Sequence, residues 1–390
     1  MLLRILLPLL FLLWLTAWGI FRLERPYFAR LKPLVRRLFF LPHALLSAAL
    51  LLLSVNESYD DTAASLKALL LSVVLCVIVP QALTALLLCP VPLLRRHWPH
   101  AERAVRRGAY IAGGIVLGAM IYGFTAGYRH IVVKEYTYRN AALPAAFDGY
   151  RIVQLSDLHL GTLRTHPEVV KDIVDSVNAC KADLIVFTGD LVNYDAREAL
   201  VFTDILSRMH ARDGVMSVMG NHDYAQYFRW ASAADSLGNI RLLHKAHKAM
   251  GWRLLLNENA VVRRGADSIA IVGVENDGNP PFPALGDLDK AQHGLAAGCF
   301  KVLLSHDPTH WRRRVIPETD IALTLSGHTH GMQFKIGGFS PASWFYPEWG
   351  GAYADTKGHT LYVSLGTGEV LLPFRLGAWP EINVITLKCK

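Results

Sequence analysis

Residues 218–223 read Val-Met-Gly-Asn-His-Asp: two apolar residues and a glycine, then an amide, an imidazole and a carboxylate in a row. An apolar run that breaks into polar side chains in this way recurs along the chain from residue 150 onward. YRIVQLSD (150–157), ADLIVFTGD (182–190), IAIVGVEND (269–277), FKVLLSHD (300–307) and IALTLSGHTH (321–330) share the form. Stretches with helical spacing, 167–180 and 198–210, separate the first three runs, and HTLYVSLG (359–366) and EINVITLK (381–388) follow later. Alternation followed by strand-rich sequence predicts an α/β domain whose sheets pack together under helices.

Ligands in α/β architectures gather at the carboxyl ends of strands, where loops bring distant residues together. Five of these strand ends carry metal-ligand chemistry: Asp157-x-His159, Gly189-Asp190, Gly220-Asn221-His222, His306, and Gly327-His328-x-His330. Carboxylate, imidazole and amide donors suit Mn, Fe or Zn, and no thiolate takes part. Glycine before a ligand lets the backbone turn sharply and approach closely. Seven candidate ligands are too many for one ion and suit two divalent ions sharing a carboxylate, roughly 3.5–4 Å apart. Each block alone reads as a surface turn, with Asn-His-Asp as an Asx turn whose Asp223 caps the following helix. All five in this order read as one site.

The first third of the chain is of another kind. Four apolar stretches lack charged residues, giving predicted membrane helices at about 5–21, 39–55, 68–89 and 110–128. The loop after the first carries Arg22, Arg25, Arg30, Lys32, Arg36 and Arg37 against Glu24. The loop after the third carries Arg95, Arg96, Arg103, Arg106 and Arg107 against Glu102, and the intervening NESYDDTAASLK (56–67) is acidic. Short basic loops stay in the cytoplasm. The expected topology therefore puts the chain in the cell (inner) membrane, with everything after Tyr128 extracytoplasmic. Residues 129–390 hold 27 Lys plus Arg and 27 Asp plus Glu, so the net charge of +8 comes from the basic loops. That is a topology signal and gives no footprint for nucleic acid. Five scattered cysteines make no disulfide framework or zinc knuckle. The domain expectation is a membrane region over 1–128, a linker over 129–148 and a soluble domain over 149–390.

The ordered blocks D-x-H, G-D, G-N-H, H and G-H-x-H resemble those of the calcineurin-like metallophosphoesterase superfamily. SDLHLG (156–161), LSHDP (304–308), SGHTHGMQ (326–333) and LLPFRLGAWPEI (371–382) are similar to its membrane-anchored bacterial branch. The resemblance covers roughly residues 150–387 and implies an αββα sandwich around a dinuclear centre. It implies one metal on Asp157, His159, Asp190 and His330, and a second on Asp190, Asn221, His306 and His328. His222 then faces the substrate phosphate or leaving oxygen as the catalytic group. Asn193 stands where phosphoprotein phosphatases of the superfamily have Asp, which counts against that substrate class and against an Asp partner for His222. Met332 and Leu365 also depart from the branch pattern.

The implied activity is hydrolysis of a phosphomonoester, phosphodiester or phosphoanhydride, on a phosphorylated small molecule or a lipid-linked or envelope substrate. The alternative is a transporter-like or sensor membrane protein with a non-catalytic metal-binding accessory domain. The aromatic stretches YAQYFRW (224–230) and SWFYPEW (343–349) read as core or loop packing, with membrane-interface contact as the other reading.

Overall fold

A computed structural model describes residues 2–55 and 61–389, so part of the acidic loop 56–67 lies outside the described residues. The chain forms two compact units that divide between Thr125 and Ala126.

Among the described residues of the first unit, four segments are long and apolar enough to cross a membrane: Leu6–Leu23, Pro33–Leu52, Ser65–His97 and Pro99–Thr125. The fourth helix ends at Thr125, three residues short of the expected 128. Gly113 sits where a Cβ would fall 2.2 Å from Thr84 Oγ1, so this glycine permits close helix packing. The lone acids of the two basic loops are buried and paired. Glu24 meets Arg106 at 3.5 Å and Glu102 meets Arg95 at 3.5 Å, while the Tyr27 hydroxyl donates to Glu102 at 3.0 Å. The two basic loops are thus pinned to each other. Inside the helical unit, Gln81 joins Thr16 and His43 in a small polar network.

The second unit contains two six-stranded sheets. Strands β1 (Val132–Arg139), β2 (Arg151–Leu155), β3 (Leu184–Phe187), β4 (Val215–Ser217) and β5 (Arg253–Leu254) join the final strand in one sheet. The other holds β6 (Glu258–Arg264), β7 (Asp267–Gly273), β8 (Phe300–Leu304), β9 (Leu323–Ser326), β10 (Gly351–Ala354) and β11 (Thr360–Val363). With β12 as Glu381–Lys388, the orders are β1-β12-β2-β3-β4-β5 and β10-β11-β9-β8-β7-β6.

The period-two alternation of each strand assigns its side chains to two cores. Ile152, Leu184 and Val186 meet Ile269, Ile271, Val302 and Leu325 between the sheets. Their neighbours Val153, Leu155, Ile185 and Phe187 face a cluster that includes Val170, Ile173 and Leu243 from helices Pro167–Ala179 and Ala233–Ala249. On the far side of the second sheet, Ala270, Val272 and Leu303 pack on Leu288, Trp311 and Val315. The layers are therefore helix, sheet, sheet, helix. Strands buried on both faces read as unbroken apolar runs, which explains LIVF and FKVLL. Truncating fully buried Phe187 to Ala would cost about 3–5 kcal/mol.

One expectation is corrected. Residues 129–148 are not a free linker, because β1 lies within them and pairs in parallel with β12 from Val132↔Glu381 to Arg139↔Lys388. VVKEYTYR is an edge strand with mostly half-buried and exposed side chains, so its alternation lacks the apolar signal of a central strand.

Candidate metal centre

The loops leaving β2, β3, β4, β8 and β9 converge, and they carry all seven candidate ligands. Asp157, His159, Asp190, His328 and His330 have φ of 54°, 44°, 58°, 74° and 51°, the left-handed region that side chains avoid. Such strain persists only where surrounding structure over-determines it, and it clusters at functional sites. Here backbone bonds interlock the loops. Asp157 N–H donates to Gly189 O at 2.9 Å, His159 N–H to Asp190 O at 3.2 Å, and Gly327 N–H to His306 O at 3.0 Å. Gly220 has no room for a side chain, since a Cβ would lie 2.2 Å from Asp190 Oδ1.

The donor atoms form overlapping clusters. In one, His330 Nε2 is 3.3 Å from Asp157 Oδ1 and 3.0 Å from His159 Nε2, and His159 Nε2 is 3.6 Å from Asp190 Oδ2. In the other, His306 Nε2 is 3.2 Å from Asp190 Oδ2 and 3.1 Å from Asn221 Oδ1, and His328 Nδ1 is 2.8 Å from Asn221 Oδ1. Asp190 belongs to both. Six of the seven are buried, and His328 nearly so.

This donor set draws positive charge into a buried place. Burial disfavours the His306 imidazolium, but the Asp190 and Asp157 carboxylates override it and push His306 up to about 10. Burial likewise opposes charge on Asp157, yet the His330 charge and hydrogen bond hold it below the usual carboxylate range. His159 is held well below its ordinary value by burial and by His222. Paired carboxylates among converging nitrogen lone pairs, without thiolates, fit divalent cations of the Mn, Fe and Zn type.

His222 is half-buried, with its ring 4.8 Å from His159 and 4.4 Å from Tyr227. Its Nδ1 lies 2.8 Å from Asn193 O. A carbonyl only accepts, so Nδ1 carries the proton and Nε2 is the nitrogen left for other partners. The residue at 193 thus holds His222 through its backbone. The Asn193 side chain turns away to Thr162, with its Nδ2 donating to Thr162 Oγ1 at 3.1 Å.

Asp223 corrects the expected helix cap. Ser232 caps helix Ala233–Ala249, accepting from Asp235 N–H. The Asp223 carboxylate instead accepts from the N–H groups of Gly220, Asp190, Leu191 and Val192 at 2.9, 2.9, 2.9 and 3.2 Å. Burial and the Asp190 charge push its carboxyl up to about 7, although all four donors bond its acceptor oxygens. Glu198 holds the next turn in the same way, accepting from Asn193, Tyr194 and Asp195 N–H. Sequence reasoning also passed over three side chains behind the histidines. Tyr346 Oη is 2.9 Å from His328 Nε2, Asp307 Oδ2 is 3.7 Å from the same nitrogen, and Arg375 Nη2 is 3.2 Å from His330 Nδ1. The last two lie in LSHDP and LLPFRLGAWPEI, whose letters carry no sign of these contacts.

The family model for calcineurin-like phosphoesterases matches residues 150–332. The chain is 30% identical over 293 residues to the Bacillus subtilis metallophosphoesterase YkuE, covering 94% of that protein and 71% of its own length. It belongs to this family. It is also 31% identical to a transmembrane protein with metallophosphoesterase domain from Danio rerio, spanning 74% of this chain and 65% of that one. Among solved structures, a dimetal phosphatase from Danio rerio aligns at 12% identity and a TM-score of 0.31 over 56% of this chain and 88% of the other.

Proposed function

We propose that this metallophosphoesterase is a membrane-anchored hydrolase of phosphate esters or anhydrides that works with two divalent cations. The observation that carries the reading is Asp190, whose one carboxylate serves two N/O donor clusters. In this reading Asp157, His159, Asp190 and His330 hold one cation, and Asp190, Asn221, His306 and His328 hold the other. Two such cations supply Lewis-acid chemistry, neutralising phosphoryl oxygens and activating water at neutral pH. The protein's own residues fix the donors, since the ligand loops are largely buried and cross-bonded.

His222 is the group that meets the leaving oxygen. Its Nδ1–H donates to Asn193 O, so Nε2 is the atom that holds or releases a proton. Protonated at Nε2, it passes that proton to the departing oxygen, a contribution worth about 10²–10⁴-fold. The placement of the basic loops argues that the hydrolase domain lies outside the cytoplasm, on the cell (inner) membrane.

The test uses full-length protein stripped with chelator and reloaded with Mn²⁺, Fe²⁺ or Zn²⁺, with p-nitrophenyl phosphate and bis-p-nitrophenyl phosphate as substrates. Hydrolysis should appear only on reloading. His222→Ala should lower kcat by roughly 10²–10⁴-fold while bound metal stays the same. Metal-independent turnover, or unchanged kcat in that variant, would overturn the assignment.

A further inference from the structure

The segment that follows His330 carries a surface that folding alone does not explain. Trp344, Phe345, Ile336 and Leu371 are 72%, 65%, 64% and 75% exposed, and Met332 and Phe339 are exposed beside them. They lie on two segments that hydrogen bonds tie together. The Phe339 and Trp344 rings are 5.7 Å apart, and Ile336 and Phe339 exchange backbone hydrogen bonds at 3.0 Å. Leu371 comes from a separate loop, but the Gln333 side chain clamps that loop in place. Val370 N–H donates to Gln333 Oε1 at 2.7 Å, and Gln333 Nε2 donates to Val370 O at 3.2 Å. Leu371 is held outward at φ 68°, a conformation that a bulky side chain avoids. Large apolar residues gathered on a surface mark an interaction site.

The patch adjoins the metal centre. Met332 is two residues beyond His330. Tyr346, next to Phe345, reaches His328 Nε2 at 2.9 Å, and Thr329 Oγ1 donates to Trp349 O at 2.6 Å. The charge pattern narrows the occupant. Residues 331–345 contain Lys335 as their only ionisable side chain, and 370–374 contain none. An aromatic and aliphatic lip with one cation and no acid suits the interface of a bilayer with anionic headgroups, where Trp settles at headgroup level. The chain supplies that bilayer itself, because its last membrane helix ends at Thr125 and β1 begins at Val132.

We propose that this lip enters the bilayer surface and that the phosphate cleaved at the metal centre is carried on a membrane lipid, whose acyl chains stay against the lip. The proposal rests on the phosphoesterase reading for its chemistry, while the docking itself does not. Full-length protein in nanodiscs of phosphatidylcholine and phosphatidylglycerol gives two readouts. With dibrominated phosphatidylcholine present, the emission difference between wild type and Trp344→Phe should be quenched. In the triple variant Trp344→Ser/Phe345→Ser/Leu371→Ser, the ratio of kcat/KM for phosphatidic acid in the disc to that for p-nitrophenyl phosphate should fall roughly tenfold or more. If the bis ester is the better soluble substrate, phosphatidylglycerol and that ester form the ratio. Unquenched Trp344 emission overturns the docking, and an unchanged ratio overturns the lipid substrate. Quenching without hydrolysis of any ester would leave docking supported and the phosphoesterase reading refuted.

Discussion

The two halves of the candidate metal centre are built differently. Asp157, His159, Asp190, Asn221 and His222 come from the first sheet, and their loops are tied by buried carboxylates that collect backbone N–H groups. Asp223 takes four such donors and Glu198 takes three. His306, His328 and His330 come from the second sheet. There the His306 and His328 imidazoles are held largely from behind, by Thr188 O and Tyr346. That half also continues into the exposed lip. One side is therefore locked from within to gather charge, and the other joins the centre to the surface.

Removing the lock should have the largest effect. Asp223→Asn replaces an acceptor-only group with one that presents N–H to four N–H donors, at about 3–5 kcal/mol, the range for breaking a buried charge interaction. Because these bonds shape the Asp190 turn, metal affinity should fall about 10–100-fold as well. Chelator competition and thermal unfolding on the same sample measure both. If affinity is kept while stability drops, the lock is structural only.

The seam between the halves gives a pH signature. Residues 364–370 close on β2 through Gly368 N–H to Asp157 O at 2.7 Å and Thr367 Oγ1 to Ser156 O at 2.9 Å. In that seam the Glu369 carboxyl is buried with neither oxygen hydrogen-bonded, and burial pushes it up to about 8 despite nearby Arg375. An unfolded chain releases this proton near 4.5, so the folded state binds more protons between the two values. Its contribution to stability is complete below about 4.5 and is lost as pH rises through about 8. Glu369→Gln should flatten that decline and raise stability at pH 8.5 by a few kcal/mol, seen as a smaller fall in Tm with pH. A parallel Tm–pH curve for the variant would place the slope elsewhere.

The smallest change is on the second-sheet side. Tyr346→Phe removes one hydrogen bond to His328 Nε2 and should weaken metal binding by up to about tenfold, leaving Asp307 as the remaining partner. A loss as large as that of Asp223→Asn would erase the contrast between the halves.

The sequence exposes the candidate ligands better than the groups that hold them. Asp157, His159, Asp190, Asn221, His306, His328 and His330 stand out because each ends an apolar run, three of them just behind a glycine. The layered α/β fold stands out because strands buried on both faces leave uninterrupted apolar letters. What holds the ligands is less visible. Asp223 looks like a helix cap because three of its four partners are backbone N–H groups 31–33 residues away, which have no letter of their own. The partner of His222 is the carbonyl of Asn193, a backbone group that the side-chain letter at 193 does not report. β1 hides because an edge strand keeps polar residues. The aromatic stretch 343–349 reads as core, since composition does not distinguish Trp344, exposed, from Trp349, half-buried beneath Lys335.

Anomalous diffraction from crystals of the Mn²⁺-loaded protein tests the central claim most directly. Two neighbouring anomalous peaks flanking the Asp190 carboxylate are expected, one toward His330 and one toward His328. A single peak, or an active crystal form with no peak beside Asp190, would contradict it.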